Sequence, residues 1–185
     1  MKEYESVLAA LRDEITVDRI VGFSDKLYEV WEKGGRVYIA GNGGSASTAS
    51  HFASDLMNLG FDVMCMTDNV PRITALTNDK GWGKIYTEQM THFNEKDALV
   101  LITVHGCEGA QDAGPWSKNL LEAAYLALDR DGEVLVLSGN NGGFLAGVCA
   151  RFLTISSQDV NVVEGIHLVL THLVCADLKR RMVKK

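Results

Sequence analysis

The chain has 185 residues, 46% of them hydrophobic and 23% charged, with two prolines and a formal net charge of −6. That length supports one sizeable core and is short for two ordinary domains, and the acidic balance excludes a surface built for a polyanion, so no nucleic-acid partner is expected. No apolar run approaches the length of a membrane span and residues 1–10 lack the apolar centre of a signal peptide, which predicts a cytoplasmic protein with no membrane partner.

In chain order, Val7, Leu8, Leu11 and Ile15, then Ile20, Val21, Phe23, Leu27, Val30 and Trp31, recur at three- and four-residue steps. They predict one long or two broken helices, stopped by Gly34-Gly35. Apolar residues on more than one side of this region fit packing on a second subunit as well as on the chain's own sheet. From Arg36 the pattern alternates: strands at 36–40, 62–66, 98–103, 133–138 and 151–155, and helices at 45–58, 82–93, 117–130, 142–148 and 161–182. Short apolar strands separated by helices predict an α/β fold, a three-layer αβα sandwich around a five-stranded parallel sheet. Ligands of such sheets sit at the carboxyl ends of the strands, which singles out loops 41–45, 67–81, 103–117 and 138–142. Asn78-Asp79 before Lys80-Gly81 reads as a turn and helix start, and Asn161 as the N-cap of the last helix. Lys179, Arg180, Arg181, Lys184 and Lys185 suit a helix C-terminus. Of four separated cysteines, Cys65, Cys149 and Cys175 fall in apolar runs and read as buried thiols, whereas Cys107 lies in a glycine-rich loop open to reaction.

Residues 36–57, RVYIAGNGGSASTASHFASDLM, hold the densest signal. An apolar strand ends at Gly41-Asn42-Gly43-Gly44 and a helical pattern starts at Ser45. Such a junction aims backbone N–H groups, here those of Gly44 and Ser45, and the positive end of a helix dipole at one point, which suits a phosphate. The same glycines also serve a plain βαβ turn. Beyond the loop, His51 and Asp55 are four residues apart and share a helix face; Glu164 and His172 are eight apart on the last helix. If the two helices line one cleft, the four side chains form a nitrogen and oxygen donor set suited to Zn²⁺, Fe²⁺, Mn²⁺ or Ni²⁺. The competing reading is a solvated helix-face pair at 51 and 55; of His167 and His172, five apart in an apolar helix and pointing in different directions, one reads as a hydrogen-bonded core histidine. His105, at a strand end beside Gly106, is better placed for a ligand than His92.

Together GNGGSASTASHFASDL at 41–56, TND at 77–79 and NVVEGIHLVLTHLV at 161–174 resemble the phosphoheptose isomerases of the sugar isomerase (SIS) domain family. The likeness runs from about residue 34 onward. It implies a flavodoxin-like SIS domain over 1–185, with segment 1–34 used in a homotetramer or dimer whose active sites lie between subunits. It further implies isomerisation of the ketose sedoheptulose 7-phosphate to an aldose, D-glycero-D-manno-heptose 7-phosphate, through an enediol. By the same resemblance Asp55 and His172 are the catalytic pair and His51, Asp55, Glu164 and His172 a zinc or other divalent metal set. Asn42, Gly43, Gly44, Ser45, Asn78, Asp79 and Glu164 would then touch substrate.

Three departures from the family pattern stand out. Asp55 replaces a glutamate and is shorter by one methylene, and Glu164 replaces a glutamine, which adds a charged oxygen donor. A serine-rich phosphate loop is replaced by Thr103-Val104-His105-Gly106, followed by the insertion CEGAQDAGPW before Ser117-Lys118-Asn119-Leu120. Thr103, His105 and Ser117 would restore part of the donor set, with Lys118 adding a cation if it turns inward. The insertion would recognise a different sugar or close as a lid. Two rival readings remain: a non-catalytic SIS module that binds a sugar phosphate as a signal or serves as an assembly factor, and lyase or hydrolase chemistry at the same metal site.

Overall fold

The computed structural model describes residues 5, 8–9, 12–108, 117–149 and 151–183. Val7, Leu11, most of the expected lid (109–116), Lys184 and Lys185 lie outside the described residues.

Helix α1 (Val17–Glu32) starts at Thr16, whose side chain accepts from the Arg19 N–H. The chain then forms β1 (Arg36–Gly41), α2 (Gly44–Asn58), β2 (Asp62–Cys65), α3 (Val70–Lys80) and β3 (Ala98–Thr103). It continues through α4 (Lys118–Asp129), β4 (Glu133–Ser138), β5 (Arg151–Thr154) and α5 (Val160–Met182). The strands make one parallel sheet in the order β2-β1-β3-β4-β5.

Side chains alternate across this sheet, and both faces are buried. Val37, Ile39, Val100, Ile102, Leu135 and Leu137 pack with α1, α2 and α5. Tyr38, Ala40, Leu99, Leu101, Val134 and Val136 pack with α4, Leu76 of α3 and the Ile85–Phe93 segment. The expected three-layer sandwich is thus present. Its order reverses between β1 and β3, so the crevice at their carboxyl ends is where a ligand would sit.

Four local expectations are corrected. Segment 67–81, read as a loop, holds α3; Asn69 caps it by accepting from the Arg72 N–H. Only Leu76 of that helix is buried, so its apolar stripe is too thin to read, and Asn78-Asp79 end a helix instead of starting one. The helix expected at 82–93 is two short 3₁₀ turns, Trp82–Lys84 and Thr87–Gln89. That expected at 142–148 is a 3₁₀ segment, Asn140–Gly147, interrupted by left-handed residues at Asn141, Gly142 and Gly143. The cap of α5 is Asp159, which accepts from the N–H groups of Asn161 and Val162, and not Asn161 itself.

Helix α5 is 23 residues long and apolar enough to cross a membrane by length and composition, contrary to the reading of the sequence. It is instead a core helix: Val162, Ile166, Leu170, Val174 and Leu178 face α1, α2 and the sheet. Asp177, buried on the same helix, holds Arg180 and Arg181, and Arg181 also reaches Asp25 on α1. Its other side leaves Leu168, Val169 and Leu173 exposed.

His167 on α5 is fully buried, and neither ring nitrogen has a hydrogen-bond partner among the described residues. Burial lowers its pKa to about 4, with the Ser138 backbone working weakly the other way. The unfolded ring keeps its ordinary value near 6.5. Acid therefore protonates the unfolded chain first, and stability falls as pH drops from about 6.5 to about 4, by a total on the order of 3 kcal/mol. Replacing His167 with Leu should flatten this part of the profile, as urea unfolding at pH 7 and pH 5 will show.

Candidate active site

Helix α2 begins where β1 ends. Gly43, at φ 58°, supplies the left-handed turn into the helix, and Gly41 is required because a Cβ there would meet the Ser45 backbone. Thr48, buried about one turn on, lies on the same helix face as Gly44. This lets α5 lie alongside α2 with the same polarity, so that Glu164 is level with Gly44 and His172 with His51 and Asp55.

Three of the four expected metal ligands meet. His51 Nε2 is 2.9 Å from His172 Nε2, and Asp55 Oδ2 is 3.5 Å from His51 and 3.7 Å from His172. Ligand atoms on a tetrahedral ion with bonds of about 2.0–2.1 Å are separated by about 3.3 Å, so this triangle fits one face of a zinc site. Two imidazole nitrogens facing one another beside a carboxylate are also what a cation would hold together. The donor set thus fits Zn²⁺ with a fourth position free for substrate or water. Asp55 Oδ2 is the oxygen nearest to both rings. The rings are about half exposed (51% and 53%), so the cluster lies at the surface of this single chain.

Glu164 does not join the cluster. A Cβ on Gly44 would overlap both carboxylate oxygens, which places them at the head of α2, and eight residues of α5 separate it from His172, about 12 Å of rise. The expected anion seat is altered as well, because the Ser45 N–H is bonded to Asn42 O at 3.1 Å and the Ala46 N–H to Gly43 O at 3.0 Å. Asn42 is tied into the fold: its amide exchanges two 2.9 Å hydrogen bonds with Asn119, and its oxygen accepts from the Tyr86 hydroxyl. That hydroxyl also donates to Gly41 O at 2.6 Å, and burial raises its pKa. Asn119 is fully buried and starts α4, so this pair spans the crevice between the β1 and β3 ends. Sequence reasoning missed the bridge; a Tyr and an Asn set among apolar neighbours were its only signal.

The remaining candidates scatter. Asn78 donates to Asp79 at 2.8 Å on an exposed turn, and neither bonds to another site residue. Thr103 is buried at the end of β3, and His105 is half-buried just beyond it. Ser117 takes a left-handed conformation before α4, its carbonyl accepting from Leu120 and Leu121. Lys118 turns away to Glu122, which also binds Lys84 at 2.6 Å. Cys107 is buried and not reactive as expected: burial, with Cys149 nearby, pushes its thiol up to about 12. Burial likewise takes Cys175 to about 12, the Asp55 charge adding to it.

The SIS domain model matches residues 1–139. The chain belongs to the SIS-domain family. Within this SIS family it falls among the phosphoheptose isomerases. It is 30% identical over 181 residues to phosphoheptose isomerase 1 of Campylobacter jejuni, covering 94% of this chain and 91% of that one. A phosphoheptose isomerase from Francisella tularensis superposes with a TM-score of 0.85 at 26% identity, over 97% and 95% of the two chains. A lincomycin biosynthesis protein of Streptomyces lincolnensis is 33% identical over 177 residues, 89% of this chain; the chain spans 63% of that relative's length.

Asn119→Ala should cost about 1–3 kcal/mol in urea unfolding, because Asn42 loses both bridging bonds while staying largely enclosed.

Proposed function

We propose that this SIS protein is an aldose–ketose isomerase of a sugar phosphate, with sedoheptulose 7-phosphate the first substrate to test. The observation that carries the reading is the His51, Asp55 and His172 cluster in a chain of the phosphoheptose isomerase family. Isomerisation needs a base that takes a proton from C1 of the ketose and returns it to C2, and a partner that moves a proton between the two oxygens. Asp55 supplies the base through Oδ1, the oxygen not turned to the histidines, and His172 serves the oxygens when its Nε2 is not taken up by an ion. Asp in place of a longer carboxylate sets back the base, and a shift of about 1 Å can cost about a hundredfold in rate, so the sugar must sit closer to α2.

His51, Asp55 and His172 would hold the metal. A divalent ion held there would supply Lewis-acid polarisation of the sugar's carbonyl and hydroxyl oxygens, favouring charge that develops on them. His51 then orients the cluster, and the half-exposed rings need a cover. A second copy supplies it in a dimer or tetramer, packing on the apolar side of α5 at Leu168, Val169 and Leu173. We place the enzyme in the cytoplasm, where its phosphorylated substrate is kept.

Incubation with sedoheptulose 7-phosphate in D₂O, followed by proton NMR, tests the reading. Aldose formation or deuterium entering beside the carbonyl is expected; no exchange with or without Zn²⁺ would favour a sugar-phosphate-binding module instead. Replacement of His51 or His172 by Ala should lower bound metal and turnover together, turnover by at least about a hundredfold. Intact turnover in the His172 variant overturns its assignment.

A further inference from the structure

Tyr86 carries a hydroxyl to the carboxyl end of β1 from the layer opposite α2. Its ring is 1% exposed, in the cluster that holds Met66, Leu76 and Leu120. The segment around it is pinned by Gln89, whose buried side-chain amide donates to Met66 O at 3.1 Å and to Ile85 O at 2.8 Å. The hydroxyl is thus a fixed donor. Its single hydrogen serves oxygens of two successive residues, Gly41 O at 2.6 Å and Asn42 Oδ1 at 3.1 Å.

The neighbours decide which way round the Asn42 amide lies. The Leu120 N–H donates at 2.9 Å to Asn119, so the Asn119 amide atom there is its oxygen. The Asn119 nitrogen then faces Asn42, which must answer it with Oδ1. Asn42 Oδ1 receives both Asn119 Nδ2 and the Tyr86 hydroxyl, and its two acceptor positions are filled. One Nδ2 hydrogen goes to Asn119 Oδ1. The second Nδ2 hydrogen is all that the side chain has left to give.

We infer that Tyr86 is a positioning residue that acts through Asn42 and sets the polarity of the glycine-rich turn. An unheld asparagine can rotate its amide and offer either a donor or an acceptor, whereas Asn42, held by Tyr86 and Asn119, offers one N–H. The group that meets it at the β1 end of the crevice must therefore be an acceptor, such as a sugar oxygen, and a group that can only donate is refused. That this group belongs to a sugar rests on the isomerase reading; the locking of Asn42 does not.

The amide is read first, without substrate. In full-length protein labelled with ¹⁵N-asparagine, the Asn42 side-chain NH₂ should exchange its hydrogens slowly, and Tyr86→Phe should speed that exchange about tenfold or more. Free exchange in the native chain, or the same rate in both proteins, overturns the inference. Kinetics with sedoheptulose 7-phosphate then separate positioning from packing. Tyr86→Phe should raise KM about tenfold with kcat changed less than about twofold, and in an Asn42→Ala background the same substitution should raise KM no further. An unchanged KM in the single variant, or a rise undiminished in the Asn42→Ala background, also overturns it. A protein that turns over no sugar, yet loses the protection of the Asn42 amide in Tyr86→Phe, would sink the isomerase proposal and leave the role of Tyr86 standing.

Discussion

The site depends on how closely α5 can lie against α2. Helix axes approach closely only where side chains between them are small, and α2 supplies Gly44 and, on the same face, Thr48. Phe52 and Leu56 of α2, and Ile166, Leu170 and Val174 of α5, fill the volume beneath. That apolar packing holds three polar side chains within contact of one another at the surface: the pairing of His51 with His172 is a by-product of burying leucines and valines. A bulkier residue along the seam would separate the rings before it disturbed the sheet.

A second constraint acts across the sheet. The strand order reverses between β1 and β3, leaving a crevice whose two lips belong to different βα units. Asn42 and Asn119 join the lips, and Tyr86 supports the bridge from the layer opposite α2. Buried polar groups in such a network must all be satisfied, so the loops have one arrangement and not several. The glycine-rich turn is therefore rigid at its base, where it leaves β1, and varied only beyond it.

Much of this was legible in the sequence, for reasons that can be named. The strands are fully apolar runs bounded by glycine or charge, and every observed strand lies within a residue of its expected span. His51, Asp55 and His172 could be brought together because periodicity fixes which helix face each occupies. What failed was whatever depends on side-chain direction or on a thin apolar signal. Spacing puts Glu164 and His172 on the same side of α5 but does not say which way a flexible side chain turns, and Glu164 turns to Gly44. Helix α3 buries one residue and so carries almost no periodicity. Gly81 and Gly83 broke the helix expected after it into 3₁₀ turns. The Ser45 amide was counted as free because a sequence does not show that the first turn of a helix has closed on itself.

His51, Asp55 and His172 stand on two helices of one layer, whereas the loops on the other lip of the crevice hang from the ends of strands. These parts share a crevice but no backbone segment beyond the Asn42 turn. Chemistry and recognition in this fold are separable inheritances: one scaffold can keep its reaction while the choice of sugar drifts.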